Sequence, residues 1–103
     1  MNPIDVPDRA ARIGDAWSSS VLGRVGRAEV KVLRMDGRTL PLEAHDTAEA
    51  LFVVDGTLRL IADGAEVDVR AGEMYVVEAG VAHAVRPGST GTLVIVEQGG
   101  PVA

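Results

Sequence analysis

GRTLPLEAHDTAEALFVVDG, residues 37–56, decides how this chain reads. Glycines close it at both ends, and Glu43, His45 and Glu49 lie between them. A second stretch, GEMYVVEAGVAH, residues 72–83, ends on His83, the other of the chain's two histidines. Strand side chains alternate between faces. Glu43 and His45 therefore point the same way, as do Glu49, Leu51 and Val53, and as do His83 and Val85. If a barrel brings these strands together, two carboxylates and two imidazoles converge.

The pattern continues outward from there. Val21–Val25 and Ala28–Met35 read as strands, and Thr39–His45 as extended chain. In the second strand Ala28, Val30 and Val32 alternate with Glu29 and Lys31, the period of a half-buried strand. Glu49–Val54 and Thr57–Ala62 read as two strands, with Asp55-Gly56 as a hairpin signal between them. Asp63-Gly64 marks the next turn before Ala65–Arg70, whose Ala65, Val67 and Val69 alternate with Glu66, Asp68 and Arg70. Met74–Val77, His83–Arg86 and Leu93–Val96 complete a set of about nine short strands separated by turn residues. Residues 1–19 have no clean period beyond one helical turn near Arg9–Ile13. The expected organisation is an irregular N-terminal arm over 1–19, a β-barrel over 20–98 and a disordered C-terminal tail over 99–103. Gly37, Gly56, Gly72 and Gly80 are expected to take positive-φ turn positions.

Composition narrows the function classes. The chain has 103 residues, 47% of them hydrophobic but only 3% aromatic. Its core must be built from Val, Leu, Ile and Ala. Net charge is −5, with nine Arg and one Lys scattered along the chain. Nucleic acid, which needs a basic patch, is not the expected partner. There is no Cys, which excludes disulfides, thiolate metal sites and a Cys nucleophile. No apolar run approaches a membrane span, and the N-terminus lacks an apolar signal core. The expectation is a cytoplasmic protein without a membrane partner. An open sheet edge needs covering, and a homodimer through Val21–Met35 and the arm is expected.

The two stretches resemble the paired motifs of the cupin family, G-x5-H-x-H-x3/4-E-x6-G and G-x5-P-x-G-x2-H-x3-N. Glu43 stands where the first His is expected, Glu78 where Pro is expected and Pro87 where Asn is expected. The likeness extends to small single-domain cupins through Trp17, His45-Asp46-Thr47-Ala48-Glu49 and Val76-Val77-Glu78-Ala79-Gly80-Val81-Ala82-His83. It implies an all-β fold, the cupin double-stranded β-helix or jelly-roll barrel. It also implies one divalent metal ion, Zn, Mn, Fe or Ni, on Glu43, His45, Glu49 and His83. This set is similar to the Gln-His-Glu-His arrangement of phosphomannose isomerases.

Imidazole and carboxylate donors suit these ions. The expected function is metal-assisted isomerisation, epimerisation or elimination on a small oxygen-rich molecule such as a sugar or keto acid. Glu43 or Glu49 would move the proton. An iron-dependent dioxygenase and a non-catalytic barrel that binds a small ligand or senses a metal are the alternative classes. Two plainer readings stand beside the metal site: a metal-free acid–base cluster, and a decayed site in which Glu43 and His45 are surface residues.

Overall fold

The computed structural model describes residues 2–99. Alternating apolar sequence and frequent turn residues give eight strands and one short helix among these residues. Helix α1 spans Val6–Ala11, followed by β1 (Ser20–Val25), β2 (Ala28–Asp36), β3 (Leu40–Glu43) and β4 (Glu49–Ala62). Then come β5 (Ala65–Arg70), β6 (Met74–Val77), β7 (His83–Val85) and β8 (Thr90–Gln98). All strand pairs are antiparallel, in the order β1-β2-β8-β4-β7-β3, with β5 and β6 also pairing with β4.

The 14-residue β4 organises the barrel. Its first half, Glu49–Phe52, pairs with β6 on one side and β8 on the other. Its second half pairs with β5 and β7. One strand thus contributes to both layers of a jelly roll, and the core lies between them. Leu33, Leu51, Val53, Leu58, Leu60 and Leu93 are at most 5% exposed in that core.

Three expectations need correction. Asp55-Gly56 does not turn a hairpin: the chain runs through it as an irregularity in the β4–β8 register between Val53 and Asp55. The Asp55 carboxylate accepts from the Thr92 backbone N–H at 3.1 Å, using the Asp side chain inside the sheet. Gly56 has φ +77°, and a Cβ there would lie 1.9 Å from the Thr90 carbonyl oxygen. The glycine is there because two strands touch, so the nine expected strands become eight. Gly37, Gly72 and Gly80 do take positive φ, as expected.

The second correction concerns the arm. Val6–Ala11 is a helix, one turn earlier than the sequence implied. Asp5 caps it by accepting from the Asp8 N–H at 3.0 Å. Arg34 of β2 reaches out to donate to the carbonyls of Ala10 and Ile13, at 2.9 and 2.7 Å. Ala10, 1% exposed, seals the contact. Trp17, at φ +66°, is held by its backbone N–H on the Arg34 carbonyl and its indole N–H on Asp36, both 2.9 Å.

The third correction is one of facing. In β2, Lys31 sits opposite Ile95 and Leu33 opposite Leu93, both inward positions on β8. Lys31 therefore faces the barrel interior, and Val30 and Val32 face outward. Val32 is nonetheless fully buried, in the strand against which α1 packs. Of the expected C-terminal tail, only Gly99 falls within the described residues; its N–H donates to the Arg27 carbonyl at 2.7 Å. No helix among the described residues is long and apolar enough to cross a membrane.

Candidate metal centre

The register of the strands builds the site. Glu49 pairs with Glu97 across β4 and β8. Glu43 pairs with His83 across β3 and β7, and His83 with Ala62 of β4. These residues share one end of the barrel. One step deeper, Leu51 meets Ile95 and Leu60 meets Val85. The same alternation that places acids and imidazoles at the mouth thus places aliphatic side chains below them. The resulting cavity has a volume of about 270 Å³.

All four residues singled out from the sequence line this cavity. Potential ligand atoms of Glu43, His45 and His83 lie within 4.8 Å of one another. His45 Nε2 is 3.4 Å from Glu43 Oε1, and His83 Nε2 is 4.0 Å from the same oxygen. The two rings are tilted, with centroids 5.2 Å apart. Glu49 lies outside that triple and joins through His83, whose Nε2 is 3.2 Å from Glu49 Oε1. The cluster is graded in exposure. His83 and Glu49 side chains are 7% and 11% exposed, against 41% and 56% for His45 and Glu43.

The His83 ring is oriented from behind. Its Nδ1 lies 3.0 Å from the Val81 carbonyl, which can only accept, so Nδ1 carries the proton. In the neutral ring Nε2 is then a lone pair, aimed at the Glu49 carboxylate. Two such groups at 3.2 Å need a shared proton or a cation between or beside them. A divalent metal meets that demand, and a backbone carbonyl behind the imidazole is the outer-shell arrangement that fixes a metal-binding tautomer. His45 is tied in by its carbonyl, which accepts from the Gly80 N–H at 2.8 Å. That bond links the loop after β3 to the loop before β7.

Two residues of this region were not found from the sequence. Glu97 was read as lying beyond the last strand, and Lys31 as facing solvent. Lys31 Nζ donates to Glu97 Oε1 at 2.8 Å and lies 3.7 Å from Glu29. Burial pushes the Glu49 carboxyl above the usual range, and the neighbouring Glu97 carboxylate adds to the effect. The Glu97 carboxylate in turn holds the Lys31 ammonium above its ordinary value. The only available signal was the unbroken alternation from Leu93 to Glu97, which puts Glu97 on the face of Leu93 and Ile95. Glu78 is exposed, in the turn where Val81 N–H donates to its carbonyl at 3.2 Å. Tyr75 packs against the core.

The fold and this cluster define a class. The Cupin_2 family, described as Cupin domain, matches residues 31–99, and the chain belongs to that family. Members commonly bind a metal, and Glu43, His45 and His83 offer a place for one. A cupin-2 domain containing protein from Shewanella frigidimarina is similar in structure, with TM-score 0.84 and 27% identity over 92% of this chain and 93% of its own. A Neisseria meningitidis protein gives TM-score 0.80 and 26% identity, covering 94% and 99% of the two chains. A cupin superfamily protein from Desulfitobacterium hafniense shares the fold at 14% identity and TM-score 0.74, covering 97% and 94%. No curated protein matches the chain.

Proposed function

We propose that this barrel is a metal-assisted isomerase, epimerase or lyase for a small carbonyl compound, the class that contains the sugars and keto acids expected from the sequence. Glu43, His45, Glu49 and His83 hold one divalent ion, of zinc, manganese, iron or nickel. The observation that carries this reading is the cluster of Glu43, His45 and His83 ligand atoms within 4.8 Å of one another, which Glu49 joins at 3.2 Å from His83 Nε2. When bound, the ion supplies a Lewis acid that polarises a carbonyl.

Glu43 or Glu49 moves the proton. Glu49 is the more enclosed of the two and stands opposite Glu97. Lys31 balances Glu97 and holds it in place beside Glu49. Glu43, more exposed, stands at the mouth where it meets incoming ligand. The aliphatic walls below exclude water from the reacting carbon.

Isotope exchange tests the reading. Metal-loaded protein in heavy water should wash deuterium into the carbon next to the carbonyl of a bound substrate. Oxygen consumption with an iron-loaded sample, without exchange, would instead favour the dioxygenase class. Tight binding with neither would favour a sensing barrel. The protein works as a cytoplasmic homodimer in this proposal.

A further inference from the structure

The cavity has a split character. Its rim carries Glu43, His45, Glu49, His83, Glu97 and Lys31, while its floor is aliphatic: Leu51, Leu58, Leu60, Val85, Leu93 and Ile95. Leu51, Leu58, Leu60 and Leu93 are closed core, at most 4% exposed, so the part of the floor a ligand can reach is the half-buried Leu40, Val85 and Ile95. Ser19 also lines the cavity and is exposed, whereas two half-buried polar side chains of the lining are already engaged. The Trp17 indole N–H is committed to Asp36 and the Lys31 ammonium to Glu97. A hydroxyl pushed below the rim would lose its water and gain no partner. The cavity of about 270 Å³ has room for about nine non-hydrogen atoms at a water's share of volume.

Charge narrows the ligand further. Four carboxylates, Glu29, Glu43, Glu49 and Glu97, gather at this end of the barrel. Against them stand Lys31 and Arg24, the latter 2.8 Å from Glu29. One divalent ion closes that balance. An anionic ligand would reopen it in a chain already at net charge −5.

We infer that the ligand is a small uncharged carbonyl compound with an aliphatic body. Its hydrocarbon end packs on Leu40, Val85 and Ile95, and its carbonyl end lies at the Glu43, His45, Glu49 and His83 rim. The carbonyl end rests on the function proposed above; the floor does not. This narrows the substrate class away from both sugars and keto acids.

Three probes of equal carbon number test it: a vicinal hexanedione, fructose and ketoisocaproate. Each is titrated into zinc-loaded protein while leucine, isoleucine and valine methyl resonances are followed by NMR. Hexanedione should bind at least tenfold more tightly than either other probe and shift the methyls of Leu40, Val85 and Ile95. Fructose or ketoisocaproate binding as tightly as hexanedione overturns the inference, as does binding that leaves those methyls unmoved. Xenon, which enters dry apolar cavities, should shift the same methyls in metal-free protein; no shift would contradict an open aliphatic floor. Zinc analysis of the titrated sample separates the two readings. Protein that takes up no zinc overturns the metal-centred function, whereas zinc-loaded protein that prefers fructose overturns the ligand assignment.

Discussion

His83 and Glu49 face each other across the barrel mouth, Nε2 to Oε1 at 3.2 Å, with the His83 ring fixed by the Val81 carbonyl behind it. Such a pair needs a shared proton or a metal ion to offset its charge. Removing the imbalance by His83→Ala should abolish metal retention, lowering affinity by more than the roughly 10–100-fold seen when only outer-shell partners are lost. His45→Ala should do the same with less disturbance, because its side chain is 41% exposed. Both variants should keep the β-rich circular dichroism of the parent, since the leucine core does not depend on them. Elemental analysis of protein purified without an affinity tag checks this. Metal near one equivalent in both variants would contradict the site.

Among the described glycines, Gly56 and Gly91 leave the least room for a side chain. They face each other across β4 and β8, with φ +77° and +103°. A Cβ on Gly91 would lie 2.1 Å from the Asp55 carbonyl oxygen. The nearest atoms are backbone and cannot swing aside. Gly56→Ala and Gly91→Ala should each destabilise the barrel by about 3 kcal/mol or more, from strain and overpacking together. Gly64→Ala offers a control: it also has positive φ, but nothing lies within 4 Å of its added carbon. It should cost about 1 kcal/mol. Urea denaturation of the three variants measures the difference.

The fold was legible because its signals are local. Glycine-bounded motifs and period-two alternation in Ala65–Arg70 need no knowledge of the rest of the chain. Alternation gave the shared facing within each strand, and the convergence of Glu43, His45, Glu49 and His83 across strands was implied by the resemblance to the cupin motifs. What failed was non-local. Asp55-Gly56 carries a hairpin signal, but pairing on both edges of β4 keeps the strand running. Lys31 looks like a solvent-facing residue until β8 brings Glu97 beside it. The helix at Val6–Ala11 is short, and its stability comes from Arg34 and the packing of Ala10, neither of which the local sequence announces.

Asp36 anchors the arm and gives it an acid limit. Hydrogen bonds from the Arg38 guanidinium, then from the Arg38 N–H and the Trp17 indole, hold its carboxyl far below the usual range. A depressed acid contributes stability fully above its unfolded pKa of about 3.9 and loses it as the pH falls toward the folded value. Asp36→Asn should therefore melt below the parent near neutrality, and the gap should close in strong acid. Trp17 fluorescence during thermal melts reads the change at its source. A gap that widens on acidification would refute the linkage.

The outer face of β6-β4-β8-β2 supports the proposed homodimer and moves its centre. Met74 pairs with Phe52, Val76 with Ala50, and these with Val94 and Val96. Val30 extends the row opposite Val96. Met74 and Val76 are 57% and 48% exposed. This apolar strip adjoins the edge strand β1, where Val25 is 72% exposed. A second copy is the occupant proposed for this face; a stable interface needs about 800 Å² from each partner. Val76→Glu should yield monomer by light scattering without loss of β structure. A parent protein that is monomeric at high concentration would end the proposal.

Glu43 is where this chain departs from the family pattern, and its position lets its role be tested. It ends β3 opposite His83, 56% exposed, with Oε1 within 4.0 Å of both imidazoles. As a ligand it supplements His45, Glu49 and His83, and three protein ligands suffice for many catalytic metals. Glu43→Gln should then weaken metal binding by about one order of magnitude, close to the 1.5–3 kcal/mol typical of a charged contact. It should still leave about one bound ion at saturating metal. Glu43→His places a third imidazole beside His45 and His83 and should tighten zinc or nickel, which imidazole suits. If Glu43 serves instead as the proton carrier, Glu43→Gln keeps full metal affinity and loses deuterium exchange into substrate. Unchanged metal affinity in both Gln and His variants, with exchange intact, would remove Glu43 from the site and leave His45, Glu49 and His83 as its ligands.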